Sequence, residues 1–453
     1  MSAYLCEHAW LGGPTAQESV LVEVDGGRIA AVTPDFTGSA PRGVVRLGGL
    51  TVPGLANVHS HAFHRALRGR THALGRGGGA GSFWTWREQM YGVAERLDPS
   101  SYLTLATAVY AEMALAGVTA VGEFHYLHHG PGGKPYDDPN AMAHALVEAA
   151  RTAGVRLTLL DTCYLTGGVG QPLGGVQARF GDGTAQAWAE RASALHAAYA
   201  GDPRVVVGAA VHSVRAVPAA AIPVVGAWAR EHEAAPLHAH VSEQPAENEA
   251  CLAAYNRTPT QLLADCGALG PGTTAVHATH LTAADVTLLG ETQTGVCFCP
   301  TTERDLADGT GPVRPLLAAG TQLSLGSDSH AVIDMFEEAR AVELDERLVS
   351  LRRGHLDAAS LLTAATANGW AAVGRPSGGA IRPGAPADLV TLRLDSPRTA
   401  GTGVGPEVAV FAATAADVHH VVVAGEPVVS GGVHVHVPDV GKALADGVAA
   451  VLR

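Results

Sequence analysis

Two histidines one residue apart, His59 and His61, stand in the stretch LTVPGLANVHSHAFHRALRG (50–69), just past an apolar run and a glycine turn. Residues i and i+2 of an extended segment point to the same side, so two imidazoles at this spacing can meet one metal ion. With 22 histidines in 453 residues, a His-rich solvated loop is the competing explanation of the pair. Other polar residues end later β-branched runs. They are Glu123, His125 and Tyr126 in GEFHY, His212 and Arg215 in VHSVR, His238, His240 and Glu243 in HAHVSE, His277 and His280 in HATH, and Asp328 in SDSH.

Three imidazoles and one carboxylate, His59, His61, His240 and Asp328, offer Zn²⁺ or Fe²⁺ a nitrogen-rich site with room for a water. An ion of this kind lowers the pKa of its water toward about 7, which makes hydrolysis the natural reaction class. Breaking a C–N bond also requires a proton for the departing nitrogen. Glu243, three residues beyond His240, is the candidate carrier, and His277 is placed to hold or polarise the water.

Such residues need a scaffold that brings distant parts of the chain together. Between 51 and 335, short β-branched runs alternate with Ala- and Leu-rich stretches, the pattern of βα units around a parallel sheet. Eight runs are found, at 50–58, 117–125, 154–164, 204–212, 235–241, 273–278, 294–300 and 321–329. Eight units predict an α/β fold with a closed (β/α)8 TIM-like barrel, whose active residues sit beyond the C-terminal ends of the strands. The chain ends read differently. SVLVEVDGGRIAAV (19–32) is a hairpin with its turn at Asp25-Gly26-Gly27, and ADLVTLRLD and VHHVVVAGEPVVSGG near the C-terminus have similar style. Residues 1–50 and 382–453 are therefore expected to form one small β-sandwich domain, beside a barrel spanning 51–381. The stretch GRGGGAGS (75–82) reads as a flexible loop.

The formal net charge of −13 argues against a nucleic-acid or anionic-membrane partner, and obliges any anionic substrate to find local Arg or Lys. No apolar run approaches the roughly 18 residues of a membrane span, and MSAYLCEHAWLGG lacks the pattern of a signal peptide, so a cytoplasmic location is the expectation. Six scattered cysteines fit reduced thiols, with Cys297 and Cys299 of CFCP assigned to core packing. A homodimer is expected because it is the common soluble assembly.

The series HSH, HAHVSEQ, HATH and GSDSH resembles the amidohydrolase superfamily, in its mononuclear-metal deaminase branch, over essentially the whole chain. GAAVHSVRAV at the fourth strand carries no lysine to bridge a second metal, which agrees with one ion per chain. FWTWREQMY, GEFHYLHH, HSVRAV, CPTTERDLADG and GSDSH are together similar to the formimidoylglutamate deiminases of that branch.

The resemblance implies hydrolysis of N-formimidoyl-L-glutamate, a small dianion. It implies that His59, His61, His240 and Asp328 hold one divalent metal, with Asp328, Glu243 and His277 moving protons and steadying the tetrahedral intermediate. Arg87 and Arg215 are the matching carboxylate-binding positions, with Tyr126 and His212 as further donors. His64 stands where that pattern tends to have Gln. If it met substrate as a cation, binding would weaken as pH climbs through its pKa. Two other readings stay open: deamination of a neutral aromatic base such as guanine or cytosine, and a non-catalytic binding barrel.

Overall fold

A computed structural model describes residues 2–72, 81–233 and 235–452. Four strands come first: β1 (Ser2–Ala9), β2 (Gln17–Asp25), β3 (Arg28–Thr33) and β4 (Val45–Pro53). β2 and β3 form the expected hairpin, with Asp25 opposite Arg28 and a two-residue turn at Gly26 and Gly27, both at positive φ. Eight strands of the central sheet follow: β5 (Leu55–Ser60), β6 (Val118–His125), β7 (Arg156–Cys163), β8 (Val205–Val211), β9 (Leu237–Val241), β10 (Thr273–His277), β11 (Gly295–Phe298) and β12 (Leu323–Leu325). Near the C-terminus come β13 (Leu389–Leu392), β14 (Val418–Val423), β15 (Glu426–Ser430) and β16 (Val433–His434).

The strands from β5 to β12 pair in parallel, each with its neighbour in the chain, as the βα pattern requires. Every residue of β6 and β7 is buried, so these strands show no polar alternation. The circle closes where β12 runs on beside β5. Asp328 N–H donates to the His59 carbonyl at 2.9 Å, and Asn57 clasps Ser327 through both its amide atoms, at 2.7 and 2.9 Å. Gly326 permits that approach, because a Cβ there would lie 2.7 Å from the Cβ of His59.

The run at 50–58, expected as one strand, is split at Gly54 between two sheets. β4 pairs with β1 and β13 in the sheet of the termini, and β5 begins the barrel. Gly54 lies hard against β6, where a Cβ would meet Thr119 Oγ1 at 2.1 Å. The second sheet is mixed, in the order β16-β15-β14-β13-β4-β1-β2-β3, so both chain ends contribute to it. A helix, Val440–Leu452, ends the described chain and packs on the barrel helix Pro99–Leu115, with Gly447 against Leu105.

Cys297 and Cys299 are buried in a cluster with Val58, Val276, Trp370 and Val373, as core residues should be. Of the Gly-rich stretch 75–82, residues 75–80 lie outside those described. Ser82 caps the helix Phe83–Arg96 in a reciprocal bond with Thr85. No helix among the described residues is long and apolar enough to cross a membrane.

Candidate active site

His59 lies near the end of β5 and His61 just past it, His240 lies near the end of β9, and Asp328 follows β12 across the barrel seam. Their side chains converge. His59 Nε2 lies 3.1 Å from His240 Nε2, and Asp328 Oδ1 is 3.3 Å from His59 Nε2 and 3.4 Å from His61 Nε2. The Nδ1–H of His61 donates to the Phe124 carbonyl at 2.9 Å, and that of His240 to the His212 carbonyl at 2.7 Å. Each bond fixes the tautomer that turns a bare Nε2 lone pair inward.

Burial pushes the pKa of His59 down to about 3, that of His61 to about 4 and that of His240 well below its usual range. These rings are therefore neutral near pH 7, and the Nδ1 of His59 is buried without a hydrogen-bond partner among the described residues while its Nε2 faces that of His240. A carboxylate and three neutral imidazoles whose Nε2 atoms converge could hold a divalent transition metal, and His59, His61 and His240 bring their ligand atoms within 4.8 Å of one another. The backbone here is held in an uncommon state. Ser242, His277, Ala278, Asp328 and His330, all at strand ends on this face, adopt positive φ without being glycine.

Beside the cluster, Glu243 Oε1 lies 3.7 Å from His277 Nε2, while the other ring nitrogen of His277 is 3.4 Å from Glu303 Oε1. Burial opposes a charge on His277, but the carboxylates of Glu243, Glu303 and Asp328 outweigh it and hold its pKa up to about 10. His277 is thus poised as a donor. Glu303 accepts the Cys299 N–H at 2.9 Å as well, which fixes its carboxylate.

A cavity of about 240 Å³ opens on this group. Arg87, Tyr126, His64, His212, Arg215, Glu243, His61, His240 and Asp328 all line it, so the structure unites the expected substrate-facing residues with the expected ligands. His277 and His59 lie behind this lining. Arg87 stacks over Trp84 at 4.5 Å and forms no ion pair among the described residues. Arg215 differs, because it is already engaged by Glu243 and Glu247.

His64 is buried, its Nε2 3.0 Å from the Tyr126 hydroxyl and its ring packed on His61 and Trp86. Burial drives its pKa well below 6.5, so the expectation of a cation titrating near neutrality is corrected: His64 is a neutral hydrogen-bonding ring.

Several strand-end candidates stay outside the site. Glu123 accepts from Ser60 Oγ at 2.6 Å and from the Ala62 N–H at 2.7 Å, and so braces the end of β5. His125, of opposite parity to Phe124 and Tyr126, packs against His128. His238 shares the face of His240 but lies about 7 Å deeper, and bonds the Ala372 carbonyl. His280 bonds the Asp308 carbonyl at 2.7 Å. Glu247 and Glu303 were not marked by sequence reasoning. The only signals are the i+4 spacing of Glu247 from Glu243 and the place of Glu303 inside CPTTERDLADG. Tyr91 and Tyr164, which line the cavity and are both bridged by Gln177, were likewise unmarked.

The amidohydrolase family model matches residues 50–428. A formimidoylglutamate deiminase of Pseudomonas aeruginosa is 37% identical over 448 residues, covering 96% of each chain. A crystal structure of an amidohydrolase from Brucella melitensis matches with a TM-score of 0.92 at 32% identity, over 100% of both chains. An adenosine deaminase from Xanthomonas campestris, with bound zinc, matches at 0.85 and 25% identity, over 99% of this chain and 97% of its own.

Proposed function

The chain belongs to the amidohydrolase family and is a hydrolase of C–N bonds, and from that premise we propose that it converts N-formimidoyl-L-glutamate to N-formyl-L-glutamate and ammonia, a step of histidine degradation. The observation that carries the choice of substrate is Arg87, a guanidinium without an ion pair among the described residues, in the same cavity as Glu243 and the histidine cluster. A chain of net charge −13 places a cation there to meet an anion. Arg215, Tyr126, His212 and His64 complete the polar wall.

His59, His61, His240 and Asp328 hold one divalent ion in this reading, zinc first and iron second. When bound, that ion supplies Lewis acidity and brings the pKa of a water toward about 7. The protein's own groups do the rest. Water adds to the formimidoyl carbon as the Asp328 carboxylate takes one of its protons. Glu243 delivers a proton through Oε1 to the terminal nitrogen as the carbon becomes tetrahedral, then takes the proton of the new hydroxyl and passes it to the same nitrogen. The C–N bond to that nitrogen breaks, the carbonyl forms and ammonia leaves; the proton held by Asp328 returns to Glu243. His277 donates from Nε2 toward the oxygen that gains charge as the carbon becomes tetrahedral. The surrounding carboxylates keep that donor charged against the cost of its burial.

A cytoplasmic location without nucleic-acid or anionic-membrane partners is supported by the six free cysteines and the negative charge, and a homodimer completes the reading. The second reading, deamination of an aromatic base, is favoured by the tryptophan and tyrosine rings along the cavity. Ammonia release measured on N-formimidoyl-L-glutamate, formiminoglycine and guanine separates the two. The dianion is expected to turn over fastest, and faster turnover of guanine would overturn the proposal.

A further inference from the structure

Arg215 stands between two carboxylates. Its Nη2 donates to Glu243 Oε2 at 3.3 Å, and its Nε lies 3.6 Å from Glu247 Oε1. That Nε and that Oε1 are both buried, and neither has a hydrogen-bond partner. Glu247 is 1% exposed, in the first turn of the helix Pro245–Tyr255, and its Oε2 accepts the main-chain N–H of Glu243 at 3.2 Å. One buried side chain thus touches the backbone of the proton carrier and faces the cation that pairs with it. A carboxylate buried so deeply is costly unless a charge balances it, and the balancing charge is one that Glu243 also uses.

We propose that Glu247 is a positioning residue for catalysis, the standing counter-ion of Arg215 that lets Glu243 take up a proton without leaving a buried guanidinium unbalanced. The inference rests on the reading of Glu243 as proton carrier. While Glu243 is ionised, the two carboxylates share Arg215. Once Glu243 is protonated, Glu247 neutralises Arg215 alone. With no charge at position 247, Glu243 becomes the sole anionic partner of Arg215, and the ion pair holds it in its anionic form.

The same loss removes one negative charge from beside the cavity, so a dianion is repelled less. Turnover and anion affinity therefore move in opposite directions. A role limited to holding the Glu243 N–H produces neither change, because glutamine at 247 still offers that N–H an oxygen.

The experiment compares wild type with E247Q, which keeps the acceptor for the Glu243 N–H and loses the charge, and E247D, which keeps the charge and shortens the reach. kcat and KM are measured on N-formimidoyl-L-glutamate, the dissociation constant of glutarate by calorimetry, and metal content and thermal midpoint for each protein. E247Q is expected to lose about tenfold or more in kcat with KM not raised, and to bind glutarate about threefold tighter or better, while E247D stays within about twofold of wild type in glutarate affinity.

Unchanged kcat in E247Q, or glutarate binding that is equal, weaker or absent, overturns the inference. Should E247Q not fold, a change of more than about twofold in glutarate affinity in E247D overturns it instead, and a smaller one supports it. Wild-type protein that releases no ammonia from N-formimidoyl-L-glutamate sinks the proposed substrate, and the glutarate arm still decides the role of Glu247.

Discussion

At the scale of single residues, the proposed roles of His240 and Glu243, one to hold and one to transfer, can be told apart. His240→Ala removes one of two imidazoles whose Nε2 atoms face each other at 3.1 Å, so bound metal and activity are expected to fall together. Glu243→Gln leaves the ligands untouched and is expected to keep its metal and lose turnover, by about 10²-fold or more. Elemental analysis beside kcat checks both, and near-normal kcat in E243Q would remove Glu243 from the mechanism. Arg87→Met deletes a charge with no ion pair among the described residues, so the effect falls on substrate and not on a broken salt bridge. kcat/KM for the dianion should drop about tenfold or much more, with the thermal midpoint unchanged within a few degrees. Equal kinetics in this variant would favour the neutral-ring reading. His59 and His61 announced themselves because i, i+2 spacing on a strand is visible in the letters alone. Glu247, Glu303 and the neutrality of His64 were not visible, since each depends on what the fold packs around an ordinary side chain.

At the scale of elements, short parallel strands bring the site together, and their close contacts set its tolerance. Gly326 sits where β12 meets β5, and an added Cβ would lie within 2.9 Å of His59 N, Cβ and O. Gly326→Ala is therefore expected to spread the seam, costing about 1–3 kcal/mol of stability and lowering metal occupancy, although residue 326 ligates nothing. Denaturant midpoints with metal analysis test this, and full occupancy at unchanged stability would count against it. The runs at 117–125, 154–164, 204–212 and 273–278 became β6, β7, β8 and β10 nearly in place, because strands buried on both faces are continuous and apolar. The run at 50–58 misled for the same reason. The turn at Gly54 does not say in the letters that the chain leaves one sheet at Pro53 and enters another at Leu55; the pairing of β4 with β1 and β13, and of β5 with β6, reveals the break.

At the scale of the whole molecule, barrel and terminal sheet are fastened by a buried ion pair. Arg156 on β7 grips Asp388, just before β13, through Nε and Nη2, each at 2.9 Å, and Asp388 also accepts the Ala424 N–H. Asp388→Ala strands a buried guanidinium and is expected to cost about 3–5 kcal/mol, visible as a fall in denaturant midpoint with the active-site chemistry intact in the folded fraction. A loss below about 1 kcal/mol would show that the two sheets do not depend on this link. The hairpin and the C-terminal strands were legible from turn residues and alternation. The helix Val440–Leu452 was absorbed into an expected β domain, because its packing partner, Leu105, lies more than three hundred residues away. The barrel seam carries a consequence in time. Asn57 and Ser327, which clasp it, are 270 residues apart, and His59 with His61 on one side of it faces Asp328 on the other. A chain emerging from the ribosome carries His59 and His61 from the start but has no complete site until Asp328 appears and its strand slots home. Metal uptake is therefore expected to follow closure of the seam, so that a refolding chain acquires its ion only after β12 has docked on β5, whenever in assembly that occurs.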